Sequence, residues 1–349
     1  MRGRSNDKEC TVNTSIDWKS LGFNYLETDC HVQYTWRDGQ WDAGELVDSP
    51  TLNLHVAATC LHYGQAIFEG LKAFHRKDGT VRTFRPKDNA KRMADTARRM
   101  CMAEVPESLF LEAIERVIQA NRKYVPPYGT GGALYVRPLL IGSGPKIGVS
   151  PSDEYTFIVL VVPVGPYYKG GLQPVSAVVL DQYDRAAPQG VGHVKVAGNY
   201  AASLEPHRVA HDMGFPVELY LDPREHRYID EFGTSNFIGI KDGRYITPAS
   251  PSILPSITNM TLQQLAADRD IPVERRPVEF DELPEFDEIG ACGTAVVITP
   301  VNHIVRGDLE IRVGPETGCG PVLEDLYHQV TAIQYGETED IHGWTRPVQ

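Results

Sequence analysis

Several broad classes of protein are excluded by what this 349-residue sequence lacks. Its six cysteines, at 10, 30, 60, 101, 292 and 319, include no CxxC pair. Six in a chain this long is not the density of a disulfide scaffold, so reduced thiols are expected. The eleven histidines show neither HExxH nor paired-ligand spacing, so nothing argues for a metal. Positive charge is in deficit, with 34 Lys and Arg against 46 Asp and Glu and a formal net charge of -12, which argues against a nucleic-acid partner. No apolar run reaches the roughly 18 residues that a membrane helix needs. The charged start, Met1 to Glu9, is followed by no apolar stretch and does not read as a signal peptide. Internal repeats and low-complexity tracts are also missing. What is present, 42% hydrophobic and 23% charged residues, fits a soluble globular protein, expected in the cytoplasm.

The first 50 residues are rich in turns and carry no clear period. From Leu52 the pattern sharpens, and His62 to Phe74 reads as a short helix running into a strand. Lys77-Asp-Gly-Thr is a hairpin turn signal before a strand at Val81–Phe84. Pro86 opens a helix where its missing N–H costs nothing, and Ala90, Met93, Ala94, Ala97, Met100 and Cys101 follow helical spacing. On that helix Arg92 points away from the apolar face and reads as solvated. Glu107–Asn121 is a second amphipathic helix. Strands are expected at Ala133–Ile141, Tyr155–Val164, Val175–Leu180, Val217–Leu221 and Ala295–Thr299, with a hairpin of Phe237–Ile240 and Tyr245–Thr247. Further helices are expected near Thr258–Asp268 and Val322–Gln334. Gly and Pro cluster between 165 and 174, which places a boundary there: a small domain over 1–165, a linker over 166–175 and a larger domain over 176–349. Helices and strands mix without regular βαβ alternation, so the fold class is α+β.

The most unusual segment is Gly190-Val-Gly-His-Val-Lys195-Val-Ala-Gly-Asn199-Tyr200. No apolar strand precedes it, so a dinucleotide or P-loop reading is weak. It does offer one lysine flanked by Gly, Val and Ala, surroundings that lower an amine's pKa towards the nucleophilic range. The competing reading is a surface lysine in a loop. Arg137 poses a similar question, because an arginine inside the apolar run Ala133 to Ile141 is costly without an anionic partner. A structural salt bridge and an anionic ligand both answer it. His193 reads as a loop histidine and Cys292 as packing.

The segment around Lys195, with Gly198-Asn199-Tyr200 after it, resembles the lysine motif of the class IV (fold-type IV) pyridoxal-phosphate aminotransferases. The branched-chain aminotransferases among them resemble this chain from about Leu61 to the C-terminus. That resemblance implies a two-domain α+β fold, pyridoxal 5'-phosphate carried on Lys195, and a homodimer. Glu231, in Tyr228-Ile-Asp-Glu-Phe-Gly-Thr-Ser-Asn-Phe, falls where the family has the glutamate that pairs with the pyridine nitrogen, and Thr234 and Asn236 share that cofactor-facing segment. Arg92 matches the family's phosphate arginine. Leu254-Pro-Ser-Ile-Thr-Asn resembles its phosphate turn, with Leu254, Ile257 and Thr258 matching, while Ser256 replaces the usual glycine and Asn259 the usual arginine. Thr294 resembles the last phosphate donor, and Arg185 and Tyr200 resemble residues at the cofactor ring.

By the same resemblance, the amides near Thr294 and Ala295 help hold the substrate carboxylate. Tyr63, Phe68, Tyr135, Tyr167 and Tyr200 line an apolar pocket, and Arg137 takes the side-chain carboxylate of glutamate. The implied reaction is transamination of leucine, isoleucine and valine with 2-oxoglutarate. A D-amino-acid aminotransferase or an aminodeoxychorismate lyase of the same fold is the nearest alternative. A pyridoxal-phosphate-binding protein without turnover is another, suggested by the altered turn at Ser256 and Asn259. A nicotinamide oxidoreductase is disfavoured, since no strand-borne GxGxxG with a following acid is present.

Overall fold

The computed structural model describes residues 16–166 and 172–349. They form two mixed layers of sheet and helix, in keeping with the expected α+β class. Each layer is built on a nine-stranded sheet. The first runs Thr345–Pro347, Val81–Phe84, Leu71–His75, Ala133–Gly142, Tyr155–Val164, His31–Arg37 and Gln40–Trp41, with Glu45–Val47 and Ala66–Phe68 added at its sides. All of its pairings are antiparallel. Helices Pro86–Arg99 and Glu107–Ala120 cover one face, burying Met93, Ala97, Phe110, Ile114, Val117 and Ile118 against Val136, Phe157 and Val159. The 3.6-residue spacing of those apolar positions is what makes these stretches helical, since it alone lines them up on one side.

In the second sheet Ile229–Phe232, Val217–Leu221, Val175–Val179, Val297–Arg306, Glu288–Gly293 and Ser235–Lys241 follow one another. Ser235–Lys241 then pairs back with Ile229–Phe232, closing these strands into a ring. Inside it Leu219, Ile229, Phe237, Val278 and Phe280 make a second core. Arg244–Pro248 and Val273–Arg276 extend the sheet, and helices Ile257–Ala267 and Pro321–Tyr335 pack on its outer face.

The expected strand at Ala295–Thr299 begins instead at Val297 and runs to Arg306. Residues 293–296 form a turn closed by Val296 N–H donating to the Gly293 carbonyl at 3.3 Å, so Ala295 has no place in the ladder. The early region without a clear period contains three strands between His31 and Val47, pinned to the first sheet through Val32 and Tyr34. No helix among the described residues is long and apolar enough to cross a membrane, and no cluster of His, Cys, Asp and Glu there could hold a metal.

Candidate active site

Lys195 sits on the loop between strand Val175–Val179 of the second sheet and the short helix Ala197–Ala202, and the first layer fixes its backbone. Its N–H donates to Thr96 Oγ1 at 3.2 Å, its carbonyl accepts from Phe68 N–H at 3.2 Å, and Ile67 bridges to Val196 beside it. The side chain is enclosed, and its Nζ meets Tyr200 Oη at 2.6 Å. The same Nζ lies 4.7 Å from the centre of the Phe68 ring and 4.9 Å from that of Tyr200. Enclosure by these groups strips water from the ammonium, with Arg92 repelling it further, and its pKa falls to about 8. Burial pushes the Tyr200 hydroxyl the other way, to about 12, so it is a neutral donor at ordinary pH.

Arg92 is not solvated. Only 12% of its side chain is exposed, and it forks onto Glu69 through Nε and Nη2, both at 2.7 Å. Its Nη1 donates to the Pro255 carbonyl at 2.8 Å. Burial works against this charge but the Glu69 pair outweighs it, so the guanidinium holds its proton more firmly than usual. Glu69 is itself fully buried and accepts from Asn89 Nδ2 and the Gly70 amide. The helix is amphipathic twice over: beside its apolar stripe runs a polar one, Asn89, Arg92 and Thr96, at spacings of three and four residues. In sequence that second stripe looks like a solvated face, and only its partner turns it inwards. Its partner Glu69, beside Phe68, went unread.

Glu231 lies on the inner strand Ile229–Phe232, not in a turn, and is almost wholly buried. It is ion-paired with Arg185 at 2.7 Å, accepts from the Leu254 amide at 2.9 Å and from Asn236 Nδ2 at 2.9 Å. Burial raises its pKa while Arg185, chief among the opposing groups, holds it down. Arg185 also donates to the Gly192 and Ser252 carbonyls, at 2.8 and 2.5 Å, which fastens the Lys195 loop to this carboxylate. Asn236 donates in turn to the Leu254 carbonyl, so Leu254 is held at both backbone groups.

The turn after Leu254 accommodates both unexpected residues. Ser256 sits at φ -76, ψ 126, ordinary extended backbone in which serine is unstrained, and its Oγ caps the helix by accepting from Asn259 N–H. Asn259 is buried and ties Tyr245, Asn236 and Thr247 together. The helix N-terminus leaves the amides of Ile257 and Thr258 with no acceptor among the described residues, and those of Thr294 and Ala295 are in the same state. Thr258 and Thr294 line one small cavity together with Gly70, Lys72 and Asn89.

Arg137 lies between two aromatic faces, 4.7 Å from the centre of Phe68 and 5.1 Å from that of Tyr135, and donates to Tyr135 Oη at 3.0 Å. It has no carboxylate partner among the described residues, and its buried Nε finds no acceptor there. The structural salt bridge weighed for this arginine is therefore not what the fold provides. Tyr63 is at the surface with its hydroxyl on the Ile147 carbonyl and joins none of these contacts. Thr234 is exposed on the turn after Glu231. Tyr167 lies outside the described residues. Cys292 is fully buried with its thiol pushed up by burial, as expected of a packing residue.

A lysine of lowered pKa, a buried carboxylate on the second sheet, and a cation set beside free amides make up a site that could hold a phosphate, a carbonyl carbon and a ring nitrogen together. The family model described as amino-transferase class IV matches residues 66–304, and the chain belongs to that family. Among its relatives, the branched-chain-amino-acid aminotransferase of Haemophilus influenzae (strain ATCC 51907 / DSM 11121 / KW20 / Rd) is 48% identical, over 96% of this chain and 99% of its own. The branched-chain-amino-acid aminotransferase of Helicobacter pylori (strain J99 / ATCC 700824) is 45% identical, over 95% of this chain and 97% of its own. The solved structure of the Escherichia coli branched-chain amino acid aminotransferase superposes with a TM-score of 0.78 at 29% identity, covering 93% of this chain and all of that one.

Proposed function

We propose that this protein transaminates branched-chain L-amino acids with 2-oxoglutarate, using pyridoxal 5'-phosphate attached at Lys195, as a cytoplasmic homodimer. The observation that carries the reading is Lys195 itself, an enclosed amine with pKa about 8, hydrogen-bonded to Tyr200. The donor set fits the cofactor. Arg92 and the free amides at Ile257, Thr258 and Thr294 suit a phosphate, and Glu231 suits a protonated ring nitrogen. Bound there, pyridoxal phosphate supplies an aldehyde for amine exchange and a ring that draws electrons from the substrate's Cα.

The chain's own groups account for the rest. Lys195, partly free base near neutral pH, would move a proton at the substrate Cα. Tyr200, held neutral by burial, would offer its hydroxyl proton to the bound cofactor. Glu231 would keep the ring nitrogen protonated, and Asn236 and Leu254 hold its two oxygens in place for that. Phe68, Tyr135 and Tyr200 would exclude water around an aliphatic side chain, while Arg137, with no carboxylate partner among the described residues, is free to take the second carboxylate of glutamate.

Borohydride treatment of the protein with its cofactor should fix the label on the peptide containing Lys195. Half-reactions with L-leucine and L-glutamate should proceed, and those with the D-forms should not. Labelling of another lysine, or turnover of D-amino acids alone, would overturn the proposal.

A further inference from the structure

After helix Pro321–Tyr335 has packed on the second sheet, the chain returns to the first layer. Thr345–Pro347 become the edge strand of the first sheet, with Thr345 against Phe84 and Pro347 against Arg82, and Val348 is buried in that layer's core. Asp340 fixes the bend that leads into this strand, since its carboxylate accepts from the amides of Trp344 and Thr345 at 3.0 and 2.7 Å. The C-terminal segment is thus a strap from one layer to the other.

The strap grips one helix of each layer. His342 Nε2 bonds to Asp268, the C-cap of helix Ile257–Ala267, at 2.6 Å. Trp344 stacks on His342 with ring centres 4.4 Å apart, and the Arg85 guanidinium lies 5.0 Å from the centre of the Trp344 ring. Arg85 N–H donates to the Trp344 carbonyl at 2.8 Å, and Arg85 Nη1 donates to Thr261 Oγ1, on helix Ile257–Ala267, at 2.9 Å. Arg85 is the N-cap of helix Pro86–Arg99 and has φ 51, a left-handed conformation that a non-glycine residue holds only under restraint. The carbonyl and ring of Trp344 supply that restraint.

These two helices carry the two halves of the proposed phosphate cradle. Arg92 stands about two turns beyond Arg85 on one of them. The amides of Ile257 and Thr258 lie about one turn before Thr261 on the other. A phosphate between them needs both halves within hydrogen-bond distance at once, and such bonds weaken steeply as distance and angle are lost.

We infer that Trp344 is a positioning residue for the cofactor phosphate: by clamping Arg85 and His342 it fixes how helix Pro86–Arg99 stands against helix Ile257–Ala267, and so how Arg92 faces the amides. This rests on the pyridoxal-phosphate reading above. On that reading the ring and the aldehyde are held elsewhere, at Glu231 and Lys195, so loosening the clamp falls on the phosphate.

The test compares pyridoxal 5'-phosphate with pyridoxal, which keeps the ring and the aldehyde and lacks the phosphate. Equilibrium dialysis against the full-length chain, stripped of cofactor, measures both affinities in wild type, Trp344→Ala and Trp344→Phe. Wild type should prefer the phosphorylated form. Trp344→Ala should lower that preference about 10-fold or more, the weight of one hydrogen bond to a charged group, with pyridoxal little changed. Trp344→Phe keeps a ring beneath Arg85 and should recover most of the preference. If Trp344→Ala folds poorly, His342→Phe keeps the stack on Trp344 and cuts the bond to Asp268, and a lowered preference there supports the inference equally. A preference unchanged in the variant that folds overturns it, as does an equal weakening of both ligands, which is what a merely structural role predicts. A wild type that binds pyridoxal as tightly as its phosphate would instead sink the phosphate reading of Arg92 and the amides.

Discussion

The Arg92–Glu69 pair offers the sharpest test of how this site is held together. Glu69 has a side chain with no exposed surface and Arg92 one with 12%, so solvent screens their interaction weakly. Arg92→Met keeps much of the side-chain bulk and removes the charge. Glu69 is then left as a buried anion with only Asn89 and the Gly70 amide as donors. Breaking such a pair from one side costs about 3–5 kcal/mol, most of it the burden of the stranded charge. Adding Glu69→Gln removes that charge while an amide oxygen can still accept from Asn89 or Gly70, so the double variant should be less destabilised than Arg92→Met alone or only marginally worse. The two losses should fail to add by about 2 kcal/mol or more. Urea unfolding of the four proteins at one fixed cofactor concentration measures this, since bound ligand itself shifts the midpoint. Additive losses would mean that the two charges do not depend on each other. The fork onto Glu69 would then be incidental, and Arg92 would owe its position to the helix alone.

Two further outcomes follow from the same geometry. Glu231→Gln should keep the cofactor yet lose on the order of 10²-fold or more in kcat, the scale of a preorganised electrostatic contact; turnover near the wild-type rate would refute its role at the ring nitrogen. Arg137→Met should cost roughly 2–4 kcal/mol, about 30- to 1,000-fold in kcat/KM, for glutamate but far less for leucine, and equal losses in single-turnover half-reactions would place Arg137 at the α-carboxylate or in the scaffold.

The sequence carried the α+β class and most of the regular elements, because alternation and 3.6-residue spacing report directly on which face is buried. Pro86 began its helix, and the hairpin at Lys241-Asp-Gly closed as its turn residues require. What periodicity could not convey was a buried polar face. Asn89, Arg92 and Thr96 look like the solvated side of an amphipathic helix, and only the partner Glu69, 23 residues before Arg92, turns that side inwards. Lys72 is a similar case: in sequence it is a strand residue of the polar phase, yet it reaches a carbonyl 223 residues away, at Ala295. Glu231 was legible as chemistry but not as structure, since burial on an inner strand depends on the ring closing between Ile229–Phe232 and Ser235–Lys241. Ser256 and Asn259 seemed to weaken the phosphate turn. Instead they are a helix cap and a buried three-way tie.

The site's cations divide by whether the protein supplies their anions. Arg92 has Glu69 and Arg185 has Glu231, so these two are scaffold first, and on the proposed reading they meet a ligand without needing it to balance their charge. Arg137 and Lys72 have no such partners among the described residues. On the proposed reading, glutamate and 2-oxoglutarate each bring a second carboxylate, and Arg137 takes it. Leucine brings only one, so binding it must leave Arg137 without an anion. The Phe68 and Tyr135 faces on either side of the guanidinium make that state tolerable, since a cation over an aromatic ring gains about 0.5–2 kcal/mol even with no carboxylate present. Those rings are also what an aliphatic side chain would pack against. On that reading one pocket would alternate between an acidic and an apolar substrate because the same aromatic surface that would exclude water from leucine shelters the arginine when no acid is bound to it.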